Sequence, residues 1–269
     1  LDAPTVEARQ GACTALARMG ARAEPAIPKL LATLSSDNLW LRVKATEALA
    51  AIGEPSKKNA LPILLKRLAV GPTQEDPRGM EQRYIANALF HQRSGMLRSS
   101  LEGVDRKLLL AAIQSGIQNE DGRTRGTFAR VYEQLTLEEL QPILPEIYRA
   151  TVESSPSGIM FDGQIQGAGL KLFSQYRVSQ GIELIADFIR TQKKHGSQNR
   201  IAGYLDLLKN YGAHAQRAIP LLEKAADYFE NEEKNFPKHM SLQKAEEVRK
   251  GIEEIKALKE KPKLIKLKL

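Results

Sequence analysis

The feature that most constrains the fold is a unit of two short amphipathic helices that spans residues 37–68 and recurs along the chain. Apolar residues in the first helix fall at i, i+4, i+7, i+8 and i+11, which places them on one helical face. These residues are Leu41, Ala45, Ala48, Leu49 and Ile52. Gly53 is predicted to end this helix, because glycine tolerates the left-handed conformation of a C-terminal cap. The second helix carries its leucines from Leu61 to Leu68, and Pro62 lies near its expected start, where a missing N–H costs least.

The same pattern returns at consistent offsets elsewhere in the chain. It appears 33 to 34 residues earlier, between residues 8 and 34, and 83 residues later, between residues 128 and 148. Residues 211–222 (YGAHAQRAIPLL) also repeat residues 19–30 (MGARAEPAIPKL) without a gap. A single unit cannot bury its apolar faces alone, whereas stacked units close a continuous core. The sequence therefore predicts an all-α solenoid of about six helix pairs.

The C-terminal part of the sequence is predicted to add a capping helix and a tail to this array. A helix expected at about 239–260 has one apolar face and a charged outer face, which suits a C-terminal capping helix. We therefore predict a repeat domain at 1–260 and a basic tail at 261–269. The tail sequence KLIKLKL (263–269) alternates apolar and basic residues at period two, as a strand does. It is interpreted as the first strand of a further domain or as an edge that pairs with a partner.

An aspartate-to-arginine turn recurs between the predicted units. Asp37 and Arg42 define it, and Arg9, Arg83 and Arg125 occupy the matching places. Together with the Ala-Leu-x-x-Ile-Gly helix end and the proline of the second helix, this turn resembles HEAT repeats. The resemblance implies a right-handed α-solenoid. It also implies that the turn residues are structural and bond between neighbouring repeats.

Several segments outside the generic repeat resemble one bacterial family of HEAT-repeat proteins. They are QRYIANALF, SLEGVDRKLLL, NEDGRTRGTFARVY and PSGIMFDG. The likeness covers most of residues 5–225, and some members of that family are exported and carry a PDZ-like module. The resemblance implies a bacterial source and a periplasmic or secreted location. It supplies no activity and no functional residues.

Net charge is unevenly distributed. The whole chain carries +8, but residues 256–269 contain six lysines and one glutamate, which leaves only +3 for residues 1–255. A basic tail of this kind is expected to be solvated. Cys13 is expected to be a small packed residue. No apolar run is long enough for a membrane-spanning helix.

No grouping of residues indicates catalysis, a cofactor or a metal. The four histidines are scattered without metal-ligand spacing, at His91, His195, His214 and His239. Gly163, Gly167 and Gly169 lack the spacing and the preceding strand of a dinucleotide site. There is also no phosphate loop and no nucleophile elbow. We therefore expect a protein that is not an enzyme and that carries no cofactor.

Candidate binding residues come from irregular segments and from the second helices. Long connections at 71–79 and 93–103 interrupt the repeats, and long loops on a rigid scaffold often carry function. Ile159, Met160 and Phe161 either pack inward, which is favoured, or form an exposed anchor. The candidate partner-binding residues are Arg78, Arg83, Arg93, Arg98, Arg106, Met160, Phe161, Lys66 and Arg149.

The leading functional prediction is a scaffold that binds a protein or peptide. The alternative is nucleic-acid binding through residues 78–130, which hold nine basic and five acidic residues, and through the lysine tail. A continuous basic track is not evident, since the second-helix row of Ala32, Lys66, Arg149, Asp187 and Lys224 is mixed. Aromatic content of 6% also gives little support for base stacking. Protein or peptide is therefore the favoured partner.

Overall fold

The computed structural model describes residues 1–191, 200–234 and 236–267, without the side chain of Glu133. Over these residues the protein is all-α, and its only β contacts are two isolated parallel bridges. The chain divides into two compact units, Leu1–Ala168 and Gly169–Leu269. His195 and the last two residues of the predicted tail lie outside the described residues.

Unit 1 contains the first nine α-helices. They are α1 Val6–Met19, α2 Ile27–Thr33, α3 Leu39–Ile52, α4 Glu54–Val70, α5 Met80–Phe90, α6 Arg106–Ile117, α7 Gly122–Ala129, α8 Leu137–Leu140 and α9 Leu144–Val152. Short 3-10 turns cover Gly20–Ala26, Tyr132–Gln134, Gln141–Ile143 and Ile159–Phe161. The first helices α1, α3, α5 and α7 pack in succession, and α4 packs on α6. This is the stacking that the repeat pattern predicts.

The predicted apolar face of α3 lies in the core of unit 1, whereas in α1 the matching residues Ala8, Ala15 and Met19 are exposed and only Cys13 is buried. One predicted helix boundary is also misplaced. Leu41, Ala45, Ala48, Leu49 and Ile52 are all buried. Gly53 has a φ of +79° and ends α3, as predicted. However, α4 begins already at Glu54, so that Pro55 lies in its first turn and Pro62 lies inside the helix. Pro55 fixes the helical φ where no N–H is needed, which lets the helix begin seven residues before Leu61.

Arginines bond between neighbouring repeats, as the resemblance implies. The Arg42 guanidinium donates to the backbone oxygens of Ser36 and Asp37 at 2.8 and 3.0 Å, in its own turn. Its Nε and Nη2 donate to the carboxylate of Glu81 in the next repeat at 3.0 and 2.8 Å. Arg83 reaches Asp121 of the following repeat at 3.7 Å. These contacts tie successive first helices together.

Repeat four departs from its predicted outline. The first helix was expected to run as far as Leu135, but α7 ends at Ala129. Val131, Tyr132 and Leu135 remain buried, and they reach the core from a 3-10 turn instead. The predicted apolar positions are therefore correct, whereas the helix is shorter.

Unit 2 contains the remaining helices and its own core. They are α10 Asp162–Gln175, which begins in unit 1, then α11 Gly181–Arg190, α12 Arg200–Lys209, α13 Ile219–Asn231 and α14 Lys238–Lys256. The gapless sequence repeat is confirmed, because a 3-10 turn leads into a helix at Ile27 and again at Ile219. The apolar face of α14 is buried against α13 and α12, as expected of a cap.

The tail is bound to unit 2, so the expectation that it is solvated is wrong for its backbone. Ile265 forms a parallel bridge with Val178, in which Ser179 N donates to Ile265 O at 2.7 Å and Ile265 N donates to Arg177 O at 3.0 Å. Leu264 packs against the core of unit 2. The alternating pattern turns the leucine inward while the lysine side chains stay exposed. We call residues 259–267 the C-terminal strap.

Two smaller expectations can be compared with the structure. Cys13 is buried, as expected, and burial raises the pKa of its thiol. Among the described helices, none is sufficiently long and apolar to cross a membrane.

Candidate interaction surface

The N-terminal ends of the first helices meet at one edge of unit 1. Polar side chains start three of these helices by accepting backbone N–H groups. Asn38 Oδ1 accepts from Leu41 N at 2.9 Å, and Asp76 accepts from Met80 N and from Glu81 N at 2.8 Å each. Asp121 starts α7 in the same way. We call this surface, together with the Ile159–Phe161 turn, the first-helix edge.

An aromatic pair lies at the α3 and α5 part of the edge. The ring centroids of Trp40 and Tyr84 are 5.6 Å apart with an interplanar angle of 77°, the edge-to-face arrangement that aromatic rings prefer. Trp40 nevertheless remains 43% exposed. The contact therefore fixes the orientation of a large side chain that still faces solvent.

A cation and an apolar turn lie at the α7 part of the edge. The guanidinium carbon of Arg123 lies 5.1 Å from the centroid of the Phe161 ring. The neighbouring residues Ile159 and Met160 are 69% and 82% exposed. The favoured expectation that all three apolar residues pack inward is therefore wrong for Ile159 and Met160. Phe161 alone lies against α7, since its Cβ is close to Gly126.

The backbone around this turn explains the exposure. Gly122 N donates to Ser157 O at 2.9 Å and Ser157 N donates to Glu120 O at 3.0 Å, which pins the turn to the start of α7. Gly158 then takes a φ of +66°. A Cβ on Gly122 would lie 2.5 Å from Gly158 O, so the approach requires glycine. A 3-10 turn spaces its residues by about 120°, so only one of the three can face the helix.

Of the residues predicted from the sequence, four come together at this edge. Arg78 is exposed and shares a cavity of about 90 Å³ with Arg83 and Asp121. Met160 and Phe161 lie on the adjoining turn, which Ser157 connects to that cavity.

The other predicted residues lie elsewhere. Arg93 and Arg98 are exposed in the connection between α5 and α6, and Arg106 pairs with Glu139 at 3.1 Å. Lys66 and Arg149 are exposed on the second helices α4 and α9. The structure therefore does not gather the predicted residues into one site.

Sequence reasoning missed Trp40, Tyr84 and Arg123 as members of this surface. A signal for Trp40 was present, because it stands two residues before Arg42 and Glu81 stands two residues before Arg83. The second repeat thus places an indole where the third repeat places an inter-repeat acid. Nothing in the sequence pattern distinguishes Tyr84 or Arg123 from ordinary helix-surface residues.

Unit 1 has further cavities, one of which, of about 390 Å³, is lined by Arg42, Arg67 and Glu81. Leu61, Pro62 and Leu65 of α4 line a cavity of about 310 Å³ together with the connection before α6. Another cavity, of about 540 Å³, lies where α1 meets the turn before α3, and Arg9 and Ser36 are among its lining residues. Over residues 1–191, 200–234 and 236–267, no cluster of three or more histidine, cysteine or acidic side chains could hold a metal ion.

Comparison with known families assigns the repeat. Residues 1–78, which contain α1 to α4, match the family model for HEAT repeats. This match and the all-helical structure support a HEAT-repeat protein. HEAT repeats commonly mediate protein interactions and are generally non-catalytic. No curated protein matches this chain.

Proposed function

We propose that this HEAT-repeat protein is a non-catalytic scaffold that binds a protein or peptide partner through the first-helix edge. The observation that carries the proposal is the exposed Ile159–Met160 pair beside the Arg123–Phe161 contact. A monomeric surface rarely exposes neighbouring large apolar side chains without a use for them.

The composition of the edge supports a protein partner. Tryptophan, tyrosine, phenylalanine, methionine and arginine are the residue types enriched at protein interfaces and at their hot spots. All five occur along the edge, at Trp40, Tyr84, Phe161, Met160 and Arg123. The ring contacts of Trp40 and Phe161 orient their side chains before binding, which lowers the entropy cost of association.

The test compares two exposed methionines in unit 1. Met160 lies on the edge, whereas Met19, at 45% exposure, ends α1 and so lies at the opposite end of a first helix. A partner captured from nuclease-treated extract should bind Met160→Asp at least about tenfold more weakly than the unchanged chain, because an interface hot spot is worth roughly 2 kcal/mol. It should bind Met19→Asp unchanged. Equal losses for both variants, or none for Met160→Asp, would contradict the proposed surface.

Nucleic-acid binding is the second candidate, and the C-terminal strap favours it. Lys259, Lys261, Lys263 and Lys266 are exposed and form no ion pair with any residue that the structure describes. Four phosphate contacts would give a slope of log K against log salt of about −3 to −4. In the 78–130 segment, by contrast, Arg83 and Arg106 already pair with acids. The test measures the affinity for a DNA duplex between about 50 and 200 mM salt, the range over which phosphate contacts weaken strongly. A slope close to that value supports nucleic-acid binding, and absent or salt-independent binding rules it out.

A further inference from the structure

Two successive junctions between repeats share one kind of ion pair. An arginine on one first helix binds an acid on the next first helix, as Arg42 binds Glu81 and Arg83 pairs with Asp121. Each acid has a fixed place relative to the arginine of its own repeat. Glu81 stands two residues before Arg83, and Asp121 stands four residues before Arg125.

The first junction lacks both acids. Arg9 is the matching arginine of repeat one, and the two corresponding positions before Arg42 hold Trp40 and Asn38. Trp40 offers no acceptor. Asn38 Oδ1 is already used, because it accepts from Leu41 N at 2.9 Å and from Gln10 Nε2 at 3.3 Å.

Arg9 is left without a partner among the described residues. Its Nε–H group is buried and donates to no acceptor among the described residues, and its guanidinium forms no ion pair with them. A buried donor that remains unsatisfied costs about 1–3 kcal/mol, more when it is charged. By contrast, the matching arginine of α3, Arg42, donates four hydrogen bonds to oxygens of Ser36, Asp37 and Glu81.

The cavity of about 540 Å³ beside Arg9 has room for a group from outside the chain. The side chains of Thr33, Ser35 and Ser36 line it and supply hydroxyl groups. Lys29 lines it as well and pairs with Asp2. The exposed carboxylate of Asp37 is the remaining acid at the cavity.

We propose that this cavity binds an aspartate or glutamate side chain of a protein partner, with Arg9 donating to the carboxylate. The ligand takes the place that Glu81 and Asp121 occupy at the later junctions. A single carboxylate fits better than a phosphate, because Asp2 and Asp37 would repel a doubly charged group more strongly. Planar arginine forks also match carboxylates well.

This inference rests on the proposed function, and it adds the chemistry of the partner. Arg9 lies in the first turns of α1, and Met160 lies in the turn held to the start of α7. Both residues are therefore at the N-terminal ends of first helices. Three helix-to-helix steps of roughly 9–10 Å separate α1 from α7, which makes about 30 Å. An extended peptide covers that span with about nine residues. The partner is therefore expected to carry an acidic residue about nine positions from an apolar anchor.

The experiment uses the whole chain with ¹⁵N-labelled arginine. Nε–Hε signals are followed by NMR while the peptide Ac-Ala-Glu-Ala-NH₂ is added, with Ac-Ala-Gln-Ala-NH₂ as the neutral probe. The signal that is lost in Arg9→Gln is the Arg9 signal. It should shift and saturate as the glutamate peptide is added. The dissociation constant from this titration should be on the order of tenfold lower than for the glutamine peptide, since charge-assisted hydrogen bonds are about twice as strong as neutral ones. An Arg9 signal that responds equally to both peptides, or to neither, overturns the proposal.

Two variants keep the result interpretable. Asp37→Asn removes the repelling carboxylate and should tighten binding of the glutamate peptide by about two- to threefold; weaker binding would overturn the assignment. Arg9→Gln should remain folded, because the guanidinium has no partner to lose among the described residues. If Met160→Asp abolishes partner binding while Arg9→Gln leaves it unchanged, the scaffold proposal stands and the carboxylate site fails. If instead Arg9→Gln abolishes partner binding while Met160→Asp leaves it unchanged, the edge around Met160 is rejected and the carboxylate site at Arg9 stands.

Discussion

Two junctions in unit 1 use the same arginine position in opposite ways. Between repeats two and three, Arg42 and Arg67 both bind the carboxylate of Glu81, and we call this junction closed because its arginines are paired, although a cavity of about 390 Å³ lies beside them. Between repeats one and two, Arg9 meets Trp40 and Asn38 instead of an acid and faces a cavity. The comparison teaches that a family-typical residue is structural only when its partner is also present. Repeat position alone therefore does not tell a structural arginine from one that is available for binding.

The largest expected effect is the opening of the closed junction. Arg42→Gln removes the guanidinium that holds Glu81 and the turn oxygens of Ser36 and Asp37. We expect a loss of about 2–3 kcal/mol in the free energy of unfolding, somewhat below the cost of breaking an isolated buried pair because Arg67 still compensates Glu81. Urea unfolding followed by circular dichroism measures it. Arg9→Gln is the matched control and should not lower the free energy of unfolding, because its guanidinium has no partner to lose among the described residues, so equal losses in both variants would erase the contrast between the junctions.

The closed junction should also make stability depend on pH. Burial disfavours the charged carboxylate of Glu81, but the hydrogen bonds from Arg42 and Arg67 outweigh that cost and hold its pKa below the usual value. A depressed carboxylate pKa stabilises the fold above the ordinary glutamate pKa, and this contribution is lost as pH falls through the folded-state pKa. The melting temperature of the unchanged chain should therefore fall towards that of Glu81→Gln as the pH is lowered below about 4. A constant difference between the two across this range would show that the pair does not stabilise the junction.

Unit 2 contains another buried cation, Lys244. Lys244 is 1% exposed, and its Nζ lies 3.7 Å from the centroid of the Phe236 ring without a hydrogen-bond partner among the described residues. Burial lowers its pKa, although the charge of Glu233 opposes the shift. Lys244→Met keeps the volume and should raise the free energy of unfolding at pH 7 by about 1 kcal/mol.

The sign of the pH dependence checks this interpretation of Lys244. A lysine whose folded pKa is depressed binds fewer protons when folded, so stability rises with pH between the folded pKa and the ordinary lysine pKa. The advantage of Lys244→Met should therefore shrink as the pH is raised towards 10, which thermal melts at several pH values would reveal. An advantage that grows with pH would contradict the assignment.

The smallest expected effect on stability comes from closing the open junction. Trp40→Glu places an acid two residues before Arg42, where Glu81 stands before Arg83. The new pair with Arg9 should stabilise the chain by only about 0.5–1 kcal/mol, because it is partly exposed and the Tyr84 contact is lost. Binding of the glutamate peptide should weaken about fivefold or more, because the added acid competes for Arg9. Unchanged peptide binding in this variant would separate Arg9 from the ligand.

Periodicity predicted the core because burial of an apolar helix face follows directly from residue spacing. The buried positions of α3, the Gly53 cap and the arginine contacts across repeats are all visible in the sequence as patterns. The candidate surface was less predictable. The favoured inward packing was wrong for Ile159 and Met160, because a backbone contact between Gly122 and Ser157 decides the direction of the turn, and the role of Met160 as an anchor stays a prediction.

For the C-terminal strap, the local pattern was predictable from the sequence and the surface that it packs on was not. The alternating lysines and leucines of residues 263–269 predicted a strand, and within the described part of that segment Ile265 forms one isolated parallel bridge. The pattern does not say which surface receives the strand, since that depends on free backbone groups at Arg177 and Ser179. Long-range pairing of this kind is set by tertiary structure and leaves no local signal.

The most direct test of the account places the photo-crosslinking residue p-benzoylphenylalanine at Met160, at Met19 and at Lys66, in three otherwise identical chains. Each is irradiated in nuclease-treated extract, and covalent adducts are identified by mass spectrometry. We predict one recurrent protein adduct at Met160, on the first-helix edge, and none of that protein at Met19 or at Lys66 on the second helix α4. The same protein captured from Lys66 but not from Met160 would place binding on the second helices and contradict the account.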